Sequence, residues 1–242
     1  MDSIRPKAIL LDLDDTIISF DHGVDADSCW RKAICKYMPE ENTTNPEGIL
    51  SDIKERAKWY WGDPVRHRIG RSDLTKARQE IITAVLMKRD INDIYLAFNI
   101  AASYTEERDK AITIFPDSIE TIKQIRTKGI KLALLTNGNS EAQWKKIRRF
   151  DLAAFFDCIV VEGEFGVGKP EERIYFHALE QLGVAADETW MVGDNFDWEV
   201  AAPQRLGIKG IWIDHKGMGL TGEPITQPFM IIKSLGDLLA LI

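Results

Sequence analysis

Residues 8–16, Ala-Ile-Leu-Leu-Asp-Leu-Asp-Asp-Thr, restrict the possible folds more than any other stretch of the chain. Four apolar residues run directly into three carboxylates. A short apolar run bounded by polar residues suits a strand buried on both faces, as in a parallel sheet. The acids then stand at its C-terminal end, where open α/β sheets bind ligands at the point of strand-order reversal. Three carboxylates this close repel one another and raise one another's pKa. A cation relieves that repulsion, and hard oxygen donors favour magnesium. Asp12 and Asp14 are spaced to address one site, with Leu13 turned away.

The remaining sequence sets the scale. At 242 residues the chain suits a compact core with a sizeable insert. No run approaches the length of a membrane span, and the N-terminus lacks a secretory pattern, so a cytoplasmic protein is expected. The formal charge of −7 argues against a nucleic-acid partner. Cys29, Cys35 and Cys158 are odd in number and widely spaced. They fit neither a disulfide frame nor a zinc motif and read as reduced thiols.

Taken in order, the periodicity predicts a strand at 8–11 and then no strand from about 26 to 110. Helices are expected from Asp25 or Asp27 to about Met38, over 47–61, from Ser72 or Asp73 to Lys88, and over 91–108. Pro39–Pro46 reads as a connecting loop, and 65–71, Val-Arg-His-Arg-Ile-Gly-Arg, as a basic loop. Beyond Phe115-Pro116 apolar strands and amphipathic helices alternate. Strands are expected at Ile130–Leu135, Cys158–Val161, Thr189–Val192, Lys209–Ile213 and Met230–Ile232. That alternation predicts an α/β fold, a Rossmann-like doubly wound parallel sheet with right-handed crossovers. The expected division is a core of residues 1–20 and 112–242, with a four-helix-type all-α cap over 21–111.

In such a sheet the strand ends share one edge. The first ends in Asp12-Leu13-Asp14, the second in Thr136-Asn137-Gly138, and a later one in Gly193-Asp194, while a loop carries Lys169-Pro170. Carboxylates, a hydroxyl, backbone N–H groups and one lysine suit a phosphate, a magnesium ion and a nucleophile.

Four motifs, Asp12-Leu13-Asp14-Asp15-Thr16, Leu134-Leu135-Thr136-Asn137-Gly138, Gly168-Lys169-Pro170 and Gly193-Asp194 through Glu199, occur in this order. Together they resemble the haloacid dehalogenase (HAD) superfamily, in its phosphatase branch with a helical cap between the first two motifs. The resemblance implies Asp12 as nucleophile and Asp14 as general acid, then base. It implies magnesium held by the Asp12 side chain, the Asp14 backbone carbonyl and Asp194. Thr136, Asn137 and Gly138 would bind phosphoryl oxygens, and Lys169 would offset the charge that spreads in transfer. Asp15 stands where glycine is most frequent in the family. Glu199 stands where a second aspartate is usual, so it is expected either to reach the metal through water or to orient Lys169. Asp197 competes for that position and Asn195 is a further supporting candidate.

The resulting expectation is a magnesium-dependent phosphatase of a small phosphorylated metabolite, monomeric or homodimeric. A sugar phosphomutase and a phosphate-binding scaffold with a vestigial site are the alternatives. In the basic stretch Arg68 is a candidate for an anionic substrate tail, against a solvated face. Trp59, Tyr60 and Trp61 read mainly as helix packing.

Overall fold

The computed structural model describes residues 5–38, 45–220 and 226–242. Two compact units emerge, Met1–His22 with Thr113–Ile242, and Gly23–Ile112. The first begins with β1 (Ala8–Leu11), each of whose four residues is fully buried. Burial of Ile9, Leu10 and Leu11 contributes about 1.5–3 kcal/mol each, which explains why this strand reads as an unbroken apolar run.

The second unit follows in sequence and is helical among its described residues. It comprises α1 (Ala26–Tyr37), α2 (Pro46–Trp61), α3 (Pro64–Ser72), α4 (Leu74–Met87) and α5 (Ile94–Ala111). Each begins on an acidic or amide N-cap. Asp25, Asn45, Asp63, Asp73 and Asp93 accept from the backbone N–H of Ser28, Gly48, Arg66, Lys76 and Leu96 respectively. Residues 65–71, expected as a loop, are therefore helical. Pro64 is a helix starter here: it lacks the N–H that a first turn leaves unpaired, and Asp63 caps that turn. Of the loop expected at Pro39–Pro46, residues 39–44 lie outside the described residues. Ile34, Ile53, Ile81 and Ile100 meet in the core of this unit, where the Trp30 and Tyr104 rings stack 3.5 Å apart.

The chain then alternates. It forms α6 (Ser118–Thr127), β2 (Lys131–Thr136), α7 (Ser140–Arg149), β3 (Cys158–Val161), α8 (Glu162–Phe165), α9 (Glu172–Leu182) and β4 (Thr189–Gly193). A π-type turn at Asp197–Ala201 leads into α10 (Ala202–Arg205), followed by β5 (Lys209–Ile213) and β6 (Met230–Ile232). All six strands pair in parallel in the order β3-β2-β1-β4-β5-β6. The expected doubly wound sheet is thus present. Its order reverses between β1 and β4, so the crevice lies beyond Leu11 and Val192, which are register partners.

Candidate active site

The end of β1 is tied to β4 by the Asp12 N–H, which donates to the Val192 carbonyl at 3.0 Å. This brings Asp12 beside Gly193. A Cβ on Gly193 would meet Glu199 Cγ at 2.3 Å and Asp12 Cβ at 3.0 Å, so only glycine allows so close a passage. Lys169 fills the space behind. Its side chain is fully buried, and Nζ donates to Asp12 Oδ1 at 2.6 Å and Glu199 Oε1 at 2.7 Å. Asn137 grips the Lys169 backbone from both sides: Nδ2 donates to the carbonyl at 2.7 Å, and the Lys169 N–H donates to Oδ1 at 2.8 Å. Asn137 therefore places the lysine through its side chain. The Gly138 amide, expected to face substrate, donates instead to Glu162 Oε2 at 2.7 Å.

The fourth strand end separates its acids. Glu199 is completely buried against Lys169, whereas Asp197 is exposed. Asn195 Oδ1 accepts from the N–H groups of Asp197 and Trp198 at 3.1 and 3.2 Å, which starts the turn and turns Glu199 inward. Trp212 on β5 donates to the Asp194 carbonyl at 2.8 Å and fixes that backbone.

The charges interact strongly. Burial pushes Asp12 up from its ordinary pKa; Lys169 opposes this and Asp14 reinforces it. Burial is also the main cause that pushes Asp194 up to about 9, with Asp12, Glu199 and Asp15 adding like-charge repulsion. Glu199 rises to about 7, from burial moderated by Lys169. Burial alone would lower Lys169, but the two carboxylates more than reverse it and hold the ammonium above its usual value.

Asp14 is held by two residues that sequence reasoning missed, both on α7. Lys146 Nζ stands 2.7 Å from each carboxylate oxygen, and Gln143 Nε2 is 3.0 Å from Oδ2. The same Gln143 nitrogen lies 2.6 Å from Thr136 Oγ1. A hydroxyl that accepts there keeps its own proton free to donate. Residue type offered no signal. Lys146 stands among Lys145, Arg148 and Arg149, and only the helix phase set by the Asn139 cap turns it inward.

Asp15 does different work. Its backbone is left-handed, with φ of 56°, where an L residue is strained. Its carboxylate compensates by accepting from the N–H groups of Phe20, Asp21 and His22 at 2.7 to 3.0 Å, which folds the 15–22 loop. A His215 ring nitrogen lies 2.6 Å from the Asp15 carbonyl, and the His22 and His215 rings stack at 4.3 Å. Asp15→Ala should lower the unfolding free energy by about 2–4 kcal/mol, from lost charge-assisted bonds plus left-handed strain. Asp15→Gly should recover only the backbone part. Urea unfolding reads both, and a loss in Asp15→Ala below about 0.5 kcal/mol would contradict the account.

The expected magnesium set can be tested against this geometry. Among the described residues none donates a hydrogen bond to the Asp194 carboxylate, and Glu199 Oε2 is buried with no hydrogen-bond partner. Buried acceptors without donors, beside carboxylates that raise one another's pKa, suit a hard cation and its waters. No three His, Cys, Asp or Glu side chains among the described residues form a cation site by themselves. The expected set needs only two, Asp12 and Asp194, because Asp14 would contribute its carbonyl while α7 holds its side chain. The residues fit the ion.

Two expectations concern the helical unit. Arg68 is exposed on α3. Tyr60 is buried, while Trp59 is half-exposed between the guanidinium groups of Arg56 and Arg66, at 3.8 and 3.7 Å. Among the described residues no helix is long and apolar enough to cross a membrane.

Known proteins carry the same plan. The chain is 30% identical to glyceraldehyde 3-phosphate phosphatase of Methanopyrus kandleri, over 84% of its own length and 81% of the relative's. It is 32% identical to phosphoserine phosphatase of Thermus thermophilus, over 73% of its own length and 65% of the relative's. Its fold matches that of YfnB from Bacillus subtilis, solved bound to magnesium, with a TM-score of 0.72 over 98% of both chains at 19% identity. The family model for haloacid dehalogenase-like hydrolases spans residues 6–207, from β1 past the π-type turn that bears Glu199, so every strand end of the cluster lies within it. On that match the chain belongs to the haloacid dehalogenase-like hydrolases.

Proposed function

We propose that this hydrolase is a magnesium-dependent phosphatase that cleaves the monoester of a small phosphorylated metabolite through an aspartyl-phosphate on Asp12. The observation that carries the reading is the pairing of a lysine-bound carboxylate, Asp12, with a separately held one, Asp14, at the strand-order reversal. The named relatives, phosphatases of glyceraldehyde 3-phosphate and phosphoserine, support the substrate class. Residues 1–20 and 112–242 would do the chemistry. Residues 21–111 would select the metabolite, with Arg68 the candidate for an anionic substituent.

Lys169 occupies Asp12 Oδ1, while among the described side chains Oδ2 meets the Thr16 hydroxyl, at the longer distance of 3.4 Å. Oδ2 is therefore the nucleophile. It bonds to phosphorus as the ester P–O bond breaks, and the departing oxygen takes a proton from Asp14. Water then attacks the aspartyl-phosphate, gives its proton to Asp14, and frees Asp12 with inorganic phosphate. Thr136 donates its free hydroxyl proton to a phosphoryl oxygen, and Lys169 counters the charge that develops. A bound magnesium ion would supply the positive charge that lets the phosphate and the carboxylates approach. Asp12, the Asp14 carbonyl and Asp194 would hold it.

Magnesium should raise the melting temperature of the wild-type protein by several degrees at about 100 times its Kd. Asp194→Asn should lose most of that increment. An equal shift in both proteins would remove Asp194 from the metal set. Release of p-nitrophenol from its phosphate, dependent on magnesium, tests the reaction.

A further inference from the structure

Resting on the reading of Asp14 as the group that protonates the leaving oxygen, we propose that Lys146, braced by Gln143, is a positioning residue that fixes the direction of the Asp14 carboxyl. Among the described residues, every side-chain hydrogen bond to that carboxyl comes from α7: two from Lys146 at 2.7 Å and one from Gln143 at 3.0 Å. The two residues are three apart, one above the other on a single helix face. Lys145, Arg148 and Arg149 of the same helix are exposed, whereas the Lys146 side chain is only 11% exposed, with its ammonium 4.5 Å from the centre of the Phe20 ring.

The contact differs from an ordinary surface ion pair, which contributes about 0–1 kcal/mol, because α7 is also bonded to the phosphate-facing strand end. The Gln143 nitrogen that reaches Asp14 is 2.6 Å from both Thr136 Oγ1 and the Asn137 carbonyl. The cap that starts α7, Asn139, follows Thr136-Asn137-Gly138 directly. One helix therefore aligns the hydroxyl that meets the phosphoryl group with the acid that meets the leaving oxygen. Asp12 is held independently by Lys169. The two carboxylates thus have different jobs and different cations. Without Lys146 the Asp14 carboxyl rotates about its own χ angles, and small misalignments are costly in proton transfer.

The test uses the magnesium-loaded full chain and measures kcat/KM on esters of graded leaving-group pKa: p-nitrophenyl, phenyl and glycerol phosphate. This parameter covers the steps through departure of the leaving group. Nitrophenolate departs without a proton, and an alkoxide does not. Lys146→Met should lose about tenfold to hundredfold on the alkyl ester and under about threefold on the nitrophenyl ester. Lys146→Arg, which can grip a carboxylate in two places, should stay within about threefold on both. Should Lys146→Met melt below the assay temperature, Lys146→Gln is read by the same criterion. Equal losses on all esters, or none, overturn the inference. Asp14→Asn sets the reference. If it steepens the leaving-group dependence and Lys146→Met does not, the inference alone fails. If Asp14→Asn leaves the dependence unchanged, the reading of Asp14 fails and takes the inference with it.

Discussion

Asp12→Asn should remove turnover on p-nitrophenyl phosphate by more than about a thousandfold, a loss of at least about 4 kcal/mol of transition-state stabilisation. The amide is nearly isosteric, but its nitrogen cannot attack phosphorus, and the bond to Asp12 has no substitute nucleophile in this arrangement. The fold should survive. Lys169 keeps Glu199 at 2.7 Å, and the amide oxygen can still accept at the Oδ1 position. Burial already pushes Asp12 toward its neutral form, so a neutral side chain removes a desolvation cost at the same time as it removes a charge partner. The melting temperature should therefore change by no more than about 4 °C, equivalent to roughly 1 kcal/mol. Beryllium fluoride with magnesium should form an adduct on the wild-type protein and not on the variant, read by fluorine NMR. A wild-type protein that forms no adduct would favour the vestigial-site alternative. A variant that keeps more than a tenth of wild-type activity would remove Asp12 from the mechanism.

How far these residues could be read in advance depends on what each signal physically encodes. The apolar run before Asp12 encodes burial on two faces, so β1 and its position in the sheet were legible. The alternation after residue 115 encodes crossover connections, so the parallel pairing was too, though not the order of the strands. Local capping could be read in part: Asp25 and Asp73 stood out as cap candidates, but Asp63 and Pro64 start a helix over residues expected to form a loop. Tertiary contacts were not legible. Nothing in Gln143 or Lys146 marks them as partners of Asp14 from 129 and 132 residues away. The helix alone has a solvated, basic appearance. The Glu199 question was open for the same reason, because one methylene and a π-type turn decide whether the acid meets Lys169 or solvent. Asp15 stood out in the sequence only as the residue at a position where the resembled family most often has glycine. Its role as acceptor for three backbone amides depends on a left-handed φ that the sequence did not announce.

Lys169→Met should be the most destabilising substitution in the cluster. The lysine is fully buried, and it compensates two buried carboxylates at once. Methionine preserves the volume, so the cavity contribution is small and the effect isolates charge. Removing one partner of a buried pair costs about 3–5 kcal/mol, because the remaining charge stays desolvated. Against a total stability of about 5–15 kcal/mol this leaves the variant marginal. The carboxylates can respond only by taking up protons. Burial already places Asp12 and Glu199 above their ordinary values, and loss of the ammonium raises both further. A carboxyl whose folded pKa exceeds its unfolded value stabilises the fold below the unfolded value and loses that contribution as pH rises through the folded value. The deficit of Lys169→Met should therefore shrink as pH falls from 8 toward 5, the reverse of a surface pair broken by acid. Glu199→Gln added to Lys169→Met should recover about 1–3 kcal/mol, a coupling expected only for groups in direct contact. Urea unfolding of the two single variants and the double variant, at both pH values and without magnesium, measures each quantity. A Lys169→Met deficit below about 1 kcal/mol that Glu199→Gln leaves unchanged would mean that water or a cation, and not the lysine, neutralises the buried acids.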